Sequence, residues 1–232
     1  MAFHGKVALV TGAASGMGRI AALRLANGGA TVAAVDLDSG ALERLAGESP
    51  NIRTYVCDVS NIEAVQALVA QVEADIGAID RLTHCAAIMP GQSLRDMPAA
   101  NITRMMNINY GGTVNMVKSL MPLMEQRGHG DIIMFGSMAG DVLALNLGAY
   151  CATKSATNTF AEVLARENKN GPLRLLLVCP PMVNTPLIEQ AIEHGPGGLA
   201  ESREAGRMAS PEFIIDAVEK AIEQGKWVVR PG

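Results

Sequence analysis

No two of the four cysteines, Cys57, Cys85, Cys151 and Cys179, form a CxxC pair. Neither a zinc cluster nor a disulfide framework is indicated, and a reducing compartment fits. The histidines, His4, His84, His129 and His194, are equally dispersed, without HExxH or comparable spacing on one helix, so no metal site is expected. Positive charge is short as well: 19 Lys and Arg against 23 Asp and Glu leave a formal net charge of -4. That balance gives no electrostatic footprint for nucleic acid or an anionic membrane. Long apolar runs are missing too. The longest, residues 175–183 with its prolines included, is far short of the roughly 20 residues that span a bilayer. The start, MAFHGKVALVTG, lacks signal-peptide architecture, because the apolar stretch after Lys6 is short and leads into a glycine loop. The cytoplasm is the expected location. Apolar material itself is plentiful, at 49% hydrophobic against 18% charged, which is too apolar for disorder. At roughly 100 to 200 residues per domain, 232 residues favour one sizeable core, a single soluble domain over 1–232.

Short β-branched or apolar runs recur at 7–10, 32–35, 54–57, 82–85, 132–135, 175–179 and 227–229. They are continuous rather than alternating, the pattern of strands buried on both faces of a parallel sheet. Helix-length stretches lie between them, including 18–27, 62–76, 102–127, 150–168 and 211–224. Strand and helix alternating in this way predict a doubly wound α/β fold with a seven-stranded parallel sheet flanked by helices. Ser60 and Asn61 before a helix, Gly77 and Gly128 after one, and Ser210 followed by Pro211 mark boundaries. Pro122 is expected to kink its helix. Residues 186–207, which contain the HGPGG run, show no strand pattern and at most one short helix. A mobile flap near a site is expected there, with an ordinary surface loop as the alternative.

The first strand ends in Thr11, Gly12, Ala13, Ala14, Ser15, Gly16, Met17, Gly18, and a helix follows. Glycine at such a junction lets backbone amides and a helix N-terminus approach a pyrophosphate that a Cβ would block. Gly12, Ser15, Gly16, Met17 and Gly18 are therefore candidate cofactor contacts. The second strand ends in Asp36, eighteen residues beyond Gly18, where a carboxylate can accept from both hydroxyls of an adenosine ribose. It would repel a 2′-phosphate, and neither Ser15 nor the neighbouring Leu37 offers a cation to neutralise one, which favours NAD (NADH) over NADP. Capping of the next helix is the other role open to Asp36. Arg19 lies within the first helix and reads as a packing or surface arginine. Asp58 can receive the adenine amino group while Val59 packs on the ring; helix N-terminal charge is the alternative for Asp58.

Tyr150 and Lys154 lie four residues apart at the start of a helix, and so on one face of it. A phenol with a pKa of about 10 is a poor base, but a nearby ammonium favours phenolate. Thirteen residues before Tyr150, Ser137 stands just beyond the fifth strand in FGSMAG, at the carboxyl end of the sheet where such folds bind ligands. With TGxxxGxG and YxxxK in this order, the whole chain resembles the short-chain dehydrogenase/reductase family in its classical single-domain form. The resemblance implies that Ser137 orients the substrate oxygen, that Tyr150 transfers a proton, and that Lys154 lowers the tyrosine pKa while binding the nicotinamide ribose. It also implies an asparagine supporting a water relay to the lysine: Asn109 in MMNINYGG, with Asn107 the second candidate. Two motifs depart from the family. Its NNAG is His84, Cys85, Ala86, Ala87 here, which loses the asparagine contact and keeps only the small Ala86 and Ala87 facing the cofactor. Its PGxxxT is Pro180, Pro181, Met182, Val183, Asn184, Thr185, where a missing glycine stiffens the turn; Pro180, Val183 and Thr185 stay candidate nicotinamide contacts.

The resemblance implies an NAD-dependent alcohol dehydrogenase or ketone reductase. A dinucleotide-binding sensor or scaffold without turnover is the alternative, and an epimerase or dehydratase a third. Met89, Pro90, Met138, Leu143, Leu145, Leu147, Met182, Leu187 and Ile188 fall in loops near the expected site and suggest an apolar pocket for a small-molecule substrate, a hydrophobic secondary alcohol or ketone. The family commonly forms homodimers or homotetramers through the helices at 102–127 and 150–168, where Met116, Leu120, Phe160 and Leu164 would supply apolar faces.

Overall fold

A computed structural model describes residues 3, 5–192 and 195–231; His4, His194 and Gly232 lie outside the described residues. Seven parallel strands form one sheet: β1 (Val7–Thr11), β2 (Thr31–Asp36), β3 (Ile52–Val56), β4 (Arg81–His84), β5 (Asp131–Phe135), β6 (Arg174–Val178) and β7 (Val228–Val229). Their order is β3-β2-β1-β4-β5-β6-β7. The chain winds outward from β1 in one direction and then returns to β4 on its other side. This leaves a switch point beyond the carboxyl ends of β1 and β4, where no crossover helix covers the strands.

The inner strands read as unbroken apolar runs because both faces are covered. Ala8, Val10, Val32, Ala34, Ile133 and Val178 pack under α1 (Gly16–Asn27), α2 (Ser39–Ala46) and the last helix, whose Ile214, Ile215 and Val218 join them. The alternate residues, Val7, Leu9, Ala33, Val35, Ile132 and Leu177, face the other layer. That layer consists of α3 (Ile62–Ile76), α5 (Gly112–Arg127) and α6 (Gly148–Glu167). Each buried Val, Leu or Ile among them contributes about 1.5 to 3 kcal/mol by leaving water. The edge strand β3 departs from the expectation of burial on both faces. Arg53, Thr54 and Val56 are exposed on it, since no neighbour covers its outer side. It also begins two residues before the sequence pattern does, at Ile52.

The long helix expected over 102–127 is three segments: α4 (Ala99–Met106), a π-helical turn at Asn107–Gly111, and α5. The π turn interrupts it, and Pro122 lies inside α5. A second correction concerns Met116 and Leu120. Both are fully buried in the core, so neither is free to form an interface between copies, while Phe160 and Leu164 are only partly buried. The third concerns 186–207. Instead of at most one short helix it carries a 3-10 turn (Pro186–Ile188), α7 (Glu189–Ile192) and α8 (Leu199–Glu204). Ile188, Ala191 and Leu199 bury themselves against Met89, Met105, Leu147 and Tyr150, and that burial is what holds such short helices. The final helix, α9 (Pro211–Glu223), starts as expected, with Ser210 accepting from the Phe213 amide and proline at the first turn.

Candidate active site

A cleft of about 750 Å³ opens at the switch point. One wall is the loop between β1 and α1. Gly12 and Gly16 have φ of +66° and +51°, and a Cβ on Gly12 would come within 2.9 Å of the Ala86 amide nitrogen, so glycine is required there. Ser15 precedes α1 in extended geometry and makes no side-chain cap, which leaves the leading amides of the helix without a side-chain acceptor. Such an end, positive through the helix dipole and open to a cleft, suits an anion. Asp36 lies at the far end, its carboxylate accepting from the amides of Ala14 (3.0 Å), Leu37 (2.7 Å) and Asp38 (3.2 Å). The capping role open to it in the sequence belongs to Asp38, which accepts from the Ala41 amide. Asp58 likewise is not the cap of α3, which is Asn61; its carboxylate accepts from Ser60 in the loop beside the cleft. Gly18, Met17, Leu37, Val59, Ala86, Ala87 and Thr185 line the same cleft. Arg19 pairs with Glu48 on the surface. Arg104, Asn107 and Ile108, from α4 and the π turn, also line the cleft; sequence reasoning missed Arg104 and Ile108, for nothing in their local pattern shows which face of that segment meets it.

A second cavity, of about 500 Å³, shares Met17, Cys85, Ala87, Thr185 and Leu187 with the first. Ser137, Tyr150 and Lys154 all line it, and so do Pro180 and Val183, which sit on this side rather than in the first cleft. Of the expected apolar loop residues, Met89, Met138, Leu147, Met182, Leu187 and Ile188 line it as well. Leu143 and Leu145 do not: they are 93% and 87% exposed, and Pro90 is also absent from the wall.

Ser137 follows β5 and opens a 3-10 turn, its Oγ accepting from the Ala139 amide at 3.1 Å. Its backbone is gripped by Asn158, whose Oδ1 accepts from the Ser137 amide (3.3 Å) and whose Nδ2 donates to the Ser137 carbonyl (3.0 Å). A Cβ at Gly136 or Gly140 would fall 1.9 or 2.4 Å from that amide group, so both glycines make room for it. Sequence reasoning missed Asn158, although a signal existed: Tyr150, Lys154 and Asn158 recur every four residues along one face of α6. Asn109 is buried behind the site and lines neither cavity. Its Oδ1 accepts from the Ile88 amide and its Nδ2 donates to the Ile88 carbonyl and to Thr153 Oγ1, each at 2.9 to 3.1 Å. It thereby ties the loop after β4 to the helix that carries Tyr150 and Lys154. Asn107, the second candidate, is exposed in the first cleft.

Burial pushes the Tyr150 phenol above its ordinary value, against the pull of a hydrogen bond with Ser137. The Lys154 ammonium, 5.7 Å from the phenol ring centroid and donating to the Phe135 carbonyl at 2.8 Å, does not reverse that direction. This corrects the expectation of a lowered tyrosine in the protein by itself: desolvation outweighs the hydrogen bond with Ser137. Burial also brings Lys154 down to about 8. Cys85, between the two cavities, is pushed up to about 12, which leaves it an unreactive thiol. His84 is brought down to about 3; its Nδ1 lies 2.8 Å from Thr11 Oγ1, and its Nε2 is buried without a partner among the described residues. Among the described residues no group of three or more His, Cys, Asp or Glu is placed to hold a metal, and no helix is long and apolar enough to cross a membrane.

A family model described as short chain dehydrogenase matches residues 6–195. The probable oxidoreductase EphD of Mycobacterium tuberculosis is 32% identical over 237 residues, which take in 96% of this chain. The chain spans about 40% of the length of that relative. The D-threitol dehydrogenase of Mycolicibacterium smegmatis is 35% identical over 219 residues, 92% of this chain and 84% of its own length. Among solved structures, a short chain dehydrogenase/reductase from Burkholderia phymatum in complex with NAD matches with a TM-score of 0.87 at 26% identity, covering 100% of this chain and 90% of that one.

Proposed function

The chain belongs to the short-chain dehydrogenase family, and from that premise we propose that it transfers hydride between NAD(H) and the carbon of a secondary alcohol or ketone with an apolar body. The observation that carries the reading is the meeting of Ser137, Tyr150 and Lys154 on one cavity wall that adjoins the glycine-loop cleft. The residues present fit a nicotinamide dinucleotide. The uncapped start of α1 and the glycine backbone suit the pyrophosphate, Asp36 the adenosine ribose, Asp58 and Val59 the adenine, and Thr185 the nicotinamide end where the two cavities join. The carboxylate of Asp36 supports NAD over NADP, since a 2′-phosphate would meet a like charge there. When bound, the nicotinamide supplies or accepts the hydride.

The chain itself handles the proton. Ser137 Oγ, with its backbone held by Asn158, donates to the substrate oxygen and fixes its position. Tyr150 Oη gives a proton to that oxygen during carbonyl reduction and takes it back during alcohol oxidation. At neutral pH the buried phenol keeps its proton, the form that reduction consumes. Oxidation requires phenolate, which positive charge favours; Lys154, with a pKa of about 8, is the cation on the same helical face, and Asn109 holds that helix against the loop after β4.

A panel of secondary alcohols and ketones assayed by NADH absorbance tests this. Turnover should favour NAD over NADP in kcat/KM, and Tyr150→Phe should lower kcat on the order of 100-fold or more while NADH still binds. Wild-type turnover in Tyr150→Phe would sink the mechanism, and absence of any turnover with NAD bound would leave a dinucleotide sensor.

A further inference from the structure

We propose that the substrate of the second cavity carries a carboxylate and that Arg207 receives it; the proposal rests on the oxidoreductase reading of that cavity. Among the described residues no aspartate or glutamate lines the cavity, and Lys154 and Arg207 are the charged residues on its wall. Lys154 is committed, since its ammonium donates to the Phe135 carbonyl next to Tyr150. The exposed guanidinium of Arg207 has no hydrogen bond or ion pair with any described residue. By contrast Arg203, on the same segment, bonds Asn184 at 3.0 Å and Glu189 at 3.1 Å. A protein of net charge -4 thus presents to this cavity, among its described residues, two cations and no acid.

Arg207 is also held in place. Its amide donates to the Ser202 carbonyl at 2.9 Å, closing the turn made by Gly206 at φ +64°. Two residues on, Ala209 forms a parallel bridge with Val183 of the cavity wall, and its amide donates to the Met182 carbonyl at 2.9 Å. The side chain therefore starts from a backbone tied on both sides, and Ser202, also on the wall, offers a hydroxyl as a second donor. A guanidinium fork matches a carboxylate with two parallel hydrogen bonds. With Met89, Leu147, Met182 and Leu199 as the rest of the wall, the ligand class is a keto or hydroxy acid. Its apolar body lies in this cavity of about 500 Å³, with the reacting carbon at Tyr150 and the acid at Arg207.

Calorimetry with octanoate and octanamide as probes, in the presence of NADH, tests the site directly. Octanoate should bind the wild type at least about tenfold more tightly than octanamide, a difference of about 1.4 kcal/mol, and Arg207→Gln should erase that preference. Equal affinities, a preference that survives Arg207→Gln, or no octanoate binding at millimolar concentration would overturn the proposal. Turnover of neutral ketones by the wild type without any acid preference would leave the hydride-transfer reading standing and remove the carboxylate. Arg207-dependent binding of octanoate with no turnover of any alcohol, ketone, hydroxy acid or keto acid would do the reverse.

Discussion

His84 shows what a single replacement costs in this sheet. It stands on β4 where the resembling family has asparagine, its ring 2% exposed and held neutral by burial, with a pKa brought down to about 3 from 6.5. An unfolded chain protonates this ring below pH 6.5 and the folded one does not until about 3. Stability is therefore lost as pH falls through that window, because the unfolded state binds the extra proton. Wild type should lose on the order of 2 kcal/mol from this group between pH 7 and pH 5. His84→Asn, which cannot charge, should lose that much less; urea unfolding at the two pH values measures the difference. At this scale the sequence was legible where function depends on spacing along one helix, as for Tyr150 and Lys154. It was not legible where function depends on meeting across the fold. Asn158 reaches a backbone 21 residues away, and the direction of the Tyr150 shift is set by burial, which no local pattern records.

Among the elements, the segment from the 3-10 turn at Pro186–Ile188 through α8 is latched to the loop after β4. The Gln190 side chain accepts from the Met89 amide at 2.8 Å and its carbonyl from the Gly91 amide at 3.2 Å. A Cβ on Gly91 would stand 2.8 Å from the Gly195 backbone, so the two segments touch there only because residue 91 lacks one. Gly91→Val should lift the segment off its seat, raise amide exchange across 186–192 and 195–207, and raise the substrate KM about fivefold, the effect of losing on the order of 1 kcal/mol with one hydrogen bond. Unchanged exchange in the variant would mean that the latch does not hold the segment. The strands were readable from continuous apolar runs and the ends of α3 and α9 from their caps. The short helices of this segment were not, since their stability comes from Ile188, Ala191 and Leu199 finding a shared pocket rather than from their own length. The π turn escaped for a similar reason. Its sequence is ordinary for a helix, and what distinguishes it is that Asn109, inside the turn, bonds Ile88.

Across the whole molecule, the alternation of strand and helix made the doubly wound architecture legible, while the charges that brace it were invisible. Arg81, Asp131 and Arg174 are the first residues of β4, β5 and β6, at the end of the sheet away from the two cavities. Arg81 is fully buried; it donates to Asp131 at 2.8 and 3.0 Å and to Glu219 of α9 at 2.8 Å, with the Phe3 ring 4.5 Å away. Arg174 holds the same aspartate at 2.6 Å. Arg81→Leu removes one partner from a buried set and should cost about 3 to 5 kcal/mol in urea unfolding. Its kcat at low temperature should stay within about a factor of two, as for a site with no shared partners. Comparable losses of kcat and stability would show that the two ends of the sheet are coupled.

That separation of brace and chemistry has a consequence for how such a chain can change over generations. Mutations that harden it against heat can accumulate at the amino ends of β4 to β6 without touching what it converts. New substrate preferences can be tried in 186–207 and the loop before α6, neither of which contributes a strand to the sheet. Two independent reservoirs of variation on one scaffold let a lineage bank stability at one end and draw on it for innovation at the other.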